Sequence, residues 1–326
     1  MALAAVRSVG DAVDLTREYL RGRTIRAYLL LAGLSITLGP PGVGGPPGPV
    51  SVREETLGLD VSDAPSTGEL VEAVGGETAL WGLLAVGIAL AVGYVLLGAF
   101  AAFAFYRSLV DDAVAVRAPA RRHRRGALEL FGFRLVAWGL AAGAAGWLAA
   151  TYFARGFGPE PSLAGLLTAA VVGLLAYLSH RLTTDFVVPI MLAQRCSLVD
   201  GWRCLLGVVR DQPAQFAAYV PVRVALEVAG GVGLGAAVGV ALLVLVLLVG
   251  LPVFAVAYLL ADLVAALAVA GAIVLPLGVA VVAAVVVPFH VYFHGYALLT
   301  LGDVDPSLDL VGPWRRRLDP ASAGRL

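Results

Sequence analysis

Two histidines four residues apart, His290 and His294, have a spacing that could bind a metal. On a helix, this spacing places both imidazoles on one face, where they can share a zinc ion. A catalytic zinc needs three protein ligands and a structural zinc four. The sequence contains no HExxH and no CxxC motif, and by depth only Asp185 and His180 could supply a third ligand.

The residues around these histidines favour a different role. Aromatic residues are interleaved with both of them in VPFHVYFHGY, which is the composition of the belt where aromatic rings meet lipid headgroups. We therefore expect His290 and His294 to lie at the membrane interface or to line a pocket. Together with His180 they are weak site candidates, and we expect no bound metal.

Four other ionisable residues lie within apolar sequence, where charge is costly and marks a functional candidate by default. Arg181 and Asp185 are four residues apart, as are Arg223 and Glu227. Each pair could form an ion pair within its own helix at the membrane interface. Alternatively, the four residues form a polar pocket open to the cytoplasm. We predict that they face each other, so that Asp185 accepts from Arg223 or Glu227 from Arg181.

Recognised catalytic patterns are missing from the sequence. It has no nucleophile elbow, phosphate-binding loop, Rossmann fingerprint or paired catalytic carboxylates. We expect no catalytic residue and no cofactor, and an intramembrane metalloenzyme is the weakest of three hypotheses. Cys196 and Cys204 would lie ~12 Å apart on a helix, beyond the ~7 Å reach of a disulfide, which predicts free thiols.

The composition indicates an all-α polytopic membrane bundle. Hydrophobic residues make up 60% of the chain and charged residues 14%, whereas a soluble domain carries about 25% charged residues. Several runs approach the ~18 apolar residues of a membrane helix. The formal net charge is zero, so charge gives no reason to expect a nucleic-acid partner. The expected partners are the lipid bilayer and, in addition, a membrane protein.

Six apolar stretches are candidate crossings, and the first of them is short. The apolar residues 253–269 could be a seventh crossing or a helix at the outer surface. The six stretches are 25–39, 79–105, 135–153, a fourth from 163 into HRLTTDFVVPIMLA, a fifth within 216–249, and 270–301.

Arginine placement predicts the orientation, because arginine collects in cytoplasmic loops. About 19 of the 23 basic residues fall in segments 1–26, 106–134, 194–213 and 302–326. Six crossings place all four segments on the cytoplasmic side of the cell membrane, together with both termini. The short first stretch must then be a true crossing. The predicted organisation is a cytoplasmic amphipathic helix (1–24), a six-span membrane domain (25–311) with an external Gly/Pro-rich acidic loop (40–78), and a cytoplasmic tail (312–326).

Two amphipathic helices are predicted at the inner surface, either on the lipid leaflet or packed on the protein itself. Their apolar stripes are Val6, Val9, Val13 and Leu20 in the first helix, and Leu198, Trp202, Leu205 and Val209 in the second.

Glycines also repeat every four residues in two of the predicted spans. Such faces allow helices to approach closely, and we expect them to serve internal packing rather than self-association. The glycines are Gly139 and Gly143 in the third span, and Gly231, Gly235 and Gly239 in the fifth.

Three stretches carry a resemblance to known proteins. RRHRRGALELFGFRL (121–135), TTDFVVPIMLAQRCSLVDGWRCLLGVVRDQPAQFAAYVPVRVALEV (183–228) and VPFHVYFHGYALLTLGDVDPSLDLV (287–311) resemble an uncharacterised haloarchaeal family of six-span membrane proteins. DFVVP followed by GWR also resembles, more distantly, the membrane domain of glycerophosphodiester phosphodiesterases. The resemblance implies a helical membrane domain with cytoplasmic termini and carries no catalytic residues.

These observations lead to two principal functional hypotheses. The first is a non-enzymatic membrane module that organises lipid or a partner protein. The alternative is a transporter or permease-like protein, with a polar pocket at the cytoplasmic ends of spans four and five.

Overall fold

The fold is all α-helical, as predicted, and the described part of the chain contains no strand. The structure is a computed structural model that describes residues 4–39, 76–153, 163–260 and 262–318. Most of the predicted loop 40–78 therefore lies outside the described residues. The helices are α1 (Ala4–Leu20), α2 (Ile25–Leu38), α3 (Glu77–Val110), α4 (Arg117–Arg122), α5 (Arg124–Phe153), α6 (Leu163–Leu182), α7 (Val188–Gln194), α8 (Leu198–Asp211), α9 (Pro213–Leu245), α10 (Leu251–Leu260), α11 (Leu263–Val304) and α12 (Gly312–Leu318).

Several helices are long and apolar enough to cross a bilayer. Four described spans meet this condition by length and composition: Glu77–Val110, Arg124–Leu148, Pro213–Leu260 and Leu263–Val304. A fifth is present if the pair Leu167–Gln194 and Leu198–Asp211, bent by 110°, counts as one broken span. The chain is thus a multi-span membrane protein by the length and composition of its helices.

The four arginine-rich segments come together at one end of the molecule. Arg23 pairs with Asp112, and Arg317 contacts the same carboxylate at 2.9 Å. The Leu198 amide donates to Glu129 Oε2 at 2.8 Å. We call this end the base; it comprises 4–24, 98–134, 179–227 and 283–318. Large side chains fill it, and those less than 2% exposed include Tyr19, Phe103, Phe105, Leu130, Phe186 and Tyr296.

Above the base, the long helices extend as apolar arms with little protein around them. We define the arms as 77–97, 135–148, 164–178, 228–260 and 263–282. Leu90 is 70% exposed, Leu140 64% and Leu259 83%. Such surfaces suit hydrocarbon, and 21 residues of α3 span ~31 Å, close to the ~30 Å apolar thickness of a bilayer.

Helix α2 is shorter than the spans named above, and its crossing of the membrane stays a prediction. Its 14 residues span ~21 Å, less than the bilayer core. Its C-terminal end lies beside the lower part of α3, where the Tyr94 hydroxyl donates to the Ile36 carbonyl at 2.8 Å. The α3 arm therefore continues past the end of α2 toward Glu77, and α2 packs mainly against the base.

Residues 253–269 form neither a seventh crossing nor a surface helix. They are the tip of a helical hairpin, because α10 ends at Leu260 and α11 begins at Leu263. Asp262 caps α11, accepting from the Ala265 amide at 2.8 Å. A carboxylate at a helix N-terminus satisfies a free amide and favours the helix dipole, which explains an acid inside this apolar run.

The two amphipathic helices pack on the protein itself, and one predicted stripe is wrong at two of its four residues. In α8, Leu198 and Leu205 are buried as predicted. In α1, Val9 and Leu20 pack against the core, whereas Val6 is 56% exposed and Val13 37%. The buried stripe of α1 consists instead of small and mixed residues, namely Ala4, Ala5, Ser8, Ala12, Leu15 and Tyr19.

The predicted role of the glycine repeats in internal packing is also wrong. A Cβ added at any of the five repeat positions would meet nothing within 4 Å. Close helix contact occurs instead at glycines of the base. A Cβ on Gly98 would lie 2.6 Å from the Thr37 carbonyl oxygen, and one on Gly201 would lie 2.9 Å from Val187 Cγ1.

Candidate functional site: a buried charge cluster

A proline widens the helix that carries Asp185. Pro189 has no amide hydrogen and its ring displaces the carbonyl four residues earlier, which is that of Asp185. The chain responds with a π-helical turn at Thr183–Val187, in which the Val188 amide bonds back to the Thr183 carbonyl. The Thr184 carbonyl is thereby free to accept from the Tyr106 hydroxyl at 2.9 Å. Turns of this kind are frequent at functional sites.

A second proline produces a similar side-chain bond. Pro288 lies inside α11 and cannot donate to the Ala284 carbonyl. The Tyr28 hydroxyl of α2 donates to that carbonyl at 2.9 Å. Helix α2 is thus attached to α11 through an acceptor that the proline releases.

The structure brings Arg181, Asp185, Arg223 and Glu227 together between α6 and α9, and we call them the buried charge cluster. Arg223 Nε donates to Asp185 Oδ2 at 3.1 Å, and Arg181 forms an ion pair with Glu227. Within α9, Arg223 Nη1 lies 3.0 Å from Glu227 Oε1. Both predicted contacts between the spans are therefore present, together with one of the two pairs within a helix.

Tyrosines complete the cluster on two sides. Tyr219 donates to Asp185 Oδ2 at 2.8 Å, and Tyr177 donates to Glu227 Oε2. The guanidinium of Arg223 also lies 4.2 Å from the centre of the Phe293 ring. The exposure of the side chains is 3% for Asp185, 4% for Arg223 and Glu227, and 14% for Arg181.

Sequence reasoning missed these tyrosines and one arginine. Each tyrosine precedes a cluster arginine by four residues, Tyr177 before Arg181 and Tyr219 before Arg223, so the helical spacing could have indicated both. Arg134 was assigned to a loop, yet it is 6% exposed, and its Nη2 lies 3.4 Å from Thr184 Oγ1. Its position directly after FGF at the start of an apolar run was the available signal.

The histidine pair lies inside the base and not among lipid headgroups. His290 is 3% exposed and His294 7%, and the His294 ring lies 4.9 Å from that of Phe105 and 4.8 Å from that of Tyr106. His294 Nδ1 lies 2.8 Å from the His290 carbonyl, which can only accept. Nδ1 is therefore the donor, and Nε2 keeps a lone pair that is buried without a hydrogen-bond partner among the described residues.

His180, the third histidine among the weak site candidates, packs with its ring centre 5.2 Å from that of Trp138. Among the described residues, no three His, Cys, Asp or Glu side chains are grouped so as to hold a metal ion. Cys196 and Cys204 are both free thiols.

The electrostatics of the cluster follow from its burial. Removing a charge from water costs several kcal/mol unless an opposite charge and hydrogen bonds replace the lost hydration. Here two arginines face two carboxylates, and one tyrosine hydroxyl donates to each carboxylate. The cluster is consequently neutral as a whole and joins α6 to α9. Breaking one pair would leave its partner charged and buried, so the cluster is suited to fixing the two spans together.

Comparison with known proteins gives one assignment. A family of unknown function (DUF7544) matches residues 3–311. The chain belongs to this family. No curated protein and no solved structure matches the chain significantly. The matched range contains all the arms, the buried charge cluster and the base up to residue 311.

Proposed function

We propose that the protein is a non-enzymatic membrane module that organises lipid around its apolar arms, with the buried charge cluster holding two spans together. The observation that carries this proposal is the pairing inside the cluster. Each of its four charged groups contacts an opposite charge. Charged groups that neutralise one another within the protein are suited to a structural role.

The arms support the lipid part of the proposal. Their outer side chains are large and apolar, with Val232 72%, Leu248 72% and Leu275 72% exposed. Apolar surface of this extent is stable only against hydrocarbon or another apolar surface. The expected function therefore concerns what surrounds the arms, either lipid or a partner membrane protein.

This role can be tested by extracting the protein from its membrane in polymer-bounded lipid discs and analysing the lipids retained. We expect a lipid shell whose class composition differs from that of the bulk membrane. A shell identical to the bulk would contradict a lipid-organising role. A stoichiometric partner protein in the same discs would favour the partner-organising form of the proposal instead.

One observation favours the second candidate function, a transporter. The lone pair of His294 Nε2 is buried beside the cluster without a partner, and such a group could take part in a proton path. The decisive assay is proton or solute flux into proteoliposomes, for the wild type and for Asp185→Asn. Flux that Asp185→Asn abolishes without lowering thermal stability would contradict the structural role and establish transport.

The orientation also belongs to the proposal. We infer that the base faces the cytoplasm of the cell, because the arginine-rich segments are gathered there. In a background with Cys196 and Cys204 replaced by serine, a cysteine at Ser66 should react with an impermeant thiol reagent in intact cells. A cysteine at the exposed Ala118 of α4 should react only after lysis. The reverse pattern would invert the topology.

The source and wider kinship of the family are likewise proposals. A haloarchaeal origin rests on the stretches 121–135, 183–228 and 287–311, and a distant likeness to the membrane domain of glycerophosphodiester phosphodiesterases rests on DFVVP and GWR. In the structure, DFVVP and GWR are the π-helical turn with α7, and the first turns of α8. A structure of such a membrane domain should place an acidic residue on a corresponding widened turn, and a regular helix there would contradict the likeness.

A further inference from the structure

A basic cavity lies at the edge of the base, away from the buried charge cluster. Its volume is about 490 Å³, and Arg122, His123, Arg125 and Arg195 contribute its basic side chains. We call this the basic cavity. Two stretches distant in sequence form most of it, namely the junction of α4 and α5 and the connection from α7 to α8, and Phe103 of α3 also lines it.

The acids in the cavity wall are already engaged. Glu129 accepts from the Leu198 amide at 2.8 Å and pairs with Arg125 at 3.1 Å. Asp200 accepts from Ser197 at 2.6 Å and pairs with Arg203 at 3.0 Å. Both carboxylates are thus paired with other arginines and do not neutralise Arg122 or Arg195.

Two of the arginines, by contrast, have no partner among the described residues. Within the part of the chain that the structure describes, Arg122 and Arg195 form no ion pair and no hydrogen bond through their side chains. Arg195 also has a left-handed backbone (φ 55°), a conformation that is uncommon for a residue other than glycine. Such conformations cluster at functional sites. The cavity therefore presents two unpaired guanidinium groups.

The surroundings of His123 indicate a positive electrostatic potential in the cavity. Burial lowers the pKa of His123 below its ordinary value, and the nearby charges of Arg107, Arg122 and Arg195 lower that pKa further. The ring stacks on Phe103 at 5.7 Å between ring centres. A neutral imidazole among arginines leaves the site attractive to an anion.

Exposed leucines on α5 lead away from the cavity, which favours an amphiphile over a soluble anion. Leu128 lies one helical turn beyond Arg124 and Arg125 and is 52% exposed. A second cavity of about 620 Å³ between Arg124, Arg125, Leu128 and Glu129 adjoins the first. Leu135, seven residues further and 37% exposed, continues the same face of α5 into its arm.

We propose that the basic cavity binds the phosphate of an anionic lipid headgroup, with the guanidinium groups of Arg122 and Arg195 as its ligands. The acyl chains lie along the Leu128 and Leu135 face of α5. Guanidinium groups suit phosphate because their N–H donors match its oxygens in pairs. This inference rests on the proposed lipid-organising role and identifies the lipid class and the site.

The test compares lipid binding by the full chain in detergent, measured by native mass spectrometry with phosphatidylglycerol or phosphatidylcholine. The cavity variant is Arg122→Gln with Arg195→Gln. The matched control is Arg17→Gln with Arg21→Gln, which removes the same charge from the last turn of α1 and the residue after it. The cavity variant should bind phosphatidylglycerol ~30-fold more weakly, since each arginine near an anionic headgroup contributes roughly fivefold. Phosphatidylcholine binding should be unchanged in both variants.

The outcomes separate this inference from the proposed function. Equal phosphatidylglycerol binding by the wild type and the cavity variant would overturn the inference and leave the lipid-organising role intact. A wild type that retains no lipid of either class would overturn both. Displacement of phosphatidylglycerol by millimolar inorganic phosphate would assign the cavity to a soluble phosphate compound and overturn the lipid assignment. All the substitutions are at exposed arginines, so an unchanged thermal midpoint verifies that the variants are folded.

Discussion

Leu130 and Leu140 lie ten residues apart on α5 and have opposite surroundings. Leu130, in the base, is fully buried, whereas Leu140, in the arm, is 64% exposed. The same contrast separates Phe105 from Leu90 on α3. A single continuous helix thus passes from close-packed protein into a region where protein contacts are sparse. The base determines how the helices are held, and the arms determine what the molecule meets in the membrane.

This contrast predicts that substitutions in the base are costly and that equivalent substitutions in the arms are tolerated. The largest effect is expected for Asp185→Ala. Removing one partner of a buried ion pair costs ~3–5 kcal/mol, because the other charge stays buried and uncompensated. The free energy of unfolding in detergent should fall by that order. Asp262→Ala, which removes an exposed cap at the hairpin tip, should cost only ~1 kcal/mol.

Leucine truncation compares the two regions directly. Leu130→Ala should destabilise by ~2–5 kcal/mol, since it leaves a cavity in packed protein. Leu140→Ala should change stability by less than ~0.5 kcal/mol, because lipid or detergent fills the space. Denaturant unfolding of both variants measures the difference. Similar losses at the two positions would mean that the arms are packed as tightly as the base.

Glycine substitution sharpens the comparison at backbone level. Gly98→Ala should cost ~1–3 kcal/mol, because the new Cβ would lie 2.6 Å from the Thr37 carbonyl oxygen. Gly235→Ala meets nothing within 4 Å and should leave stability unchanged or raise it by up to ~1 kcal/mol through helix propensity. A large loss at Gly235 would indicate a partner helix on that face, as in self-association.

The smallest effect concerns pH. The pKa of His123 is lower in the folded chain than the ~6.5 of an unfolded histidine, owing to burial and then the nearby arginines. As the pH falls below about 6.5, the unfolded chain takes up the proton first, so stability declines toward the folded pKa. His123→Gln should flatten this decline in a thermal-midpoint series from about pH 7.5 to 5.5. An unchanged slope would exclude His123 as its source.

Composition and helical spacing were sufficient to predict much of the molecule. The apolar runs predicted long helices, and arginine placement predicted which segments lie at the same end of the molecule. The i,i+4 spacing of Arg181 with Asp185 and of Arg223 with Glu227 identified four residues that the structure brings into contact.

Other features depend on what lies opposite a residue, which a single sequence does not contain. The glycine repeats had a packing pattern but no helix facing them. The α1 stripe was misplaced because valines were weighted above the alanines and serine that are actually buried. The hairpin tip lay inside an apolar run with no period to reveal it, and only Asp262 marked the turn.

The central claim is that the buried charge cluster holds α6 and α9 together. A double-mutant cycle of Asp185→Ala and Arg223→Ala tests it most directly, with stability measured in detergent. Residues in direct contact couple by ~0.5–3 kcal/mol, and we expect a value in the upper half of that range. A control cycle of Asp185→Ala with the exposed Arg17→Ala should give none. Coupling near zero between Asp185 and Arg223 would contradict the account, because it would place the two residues apart in the folded protein.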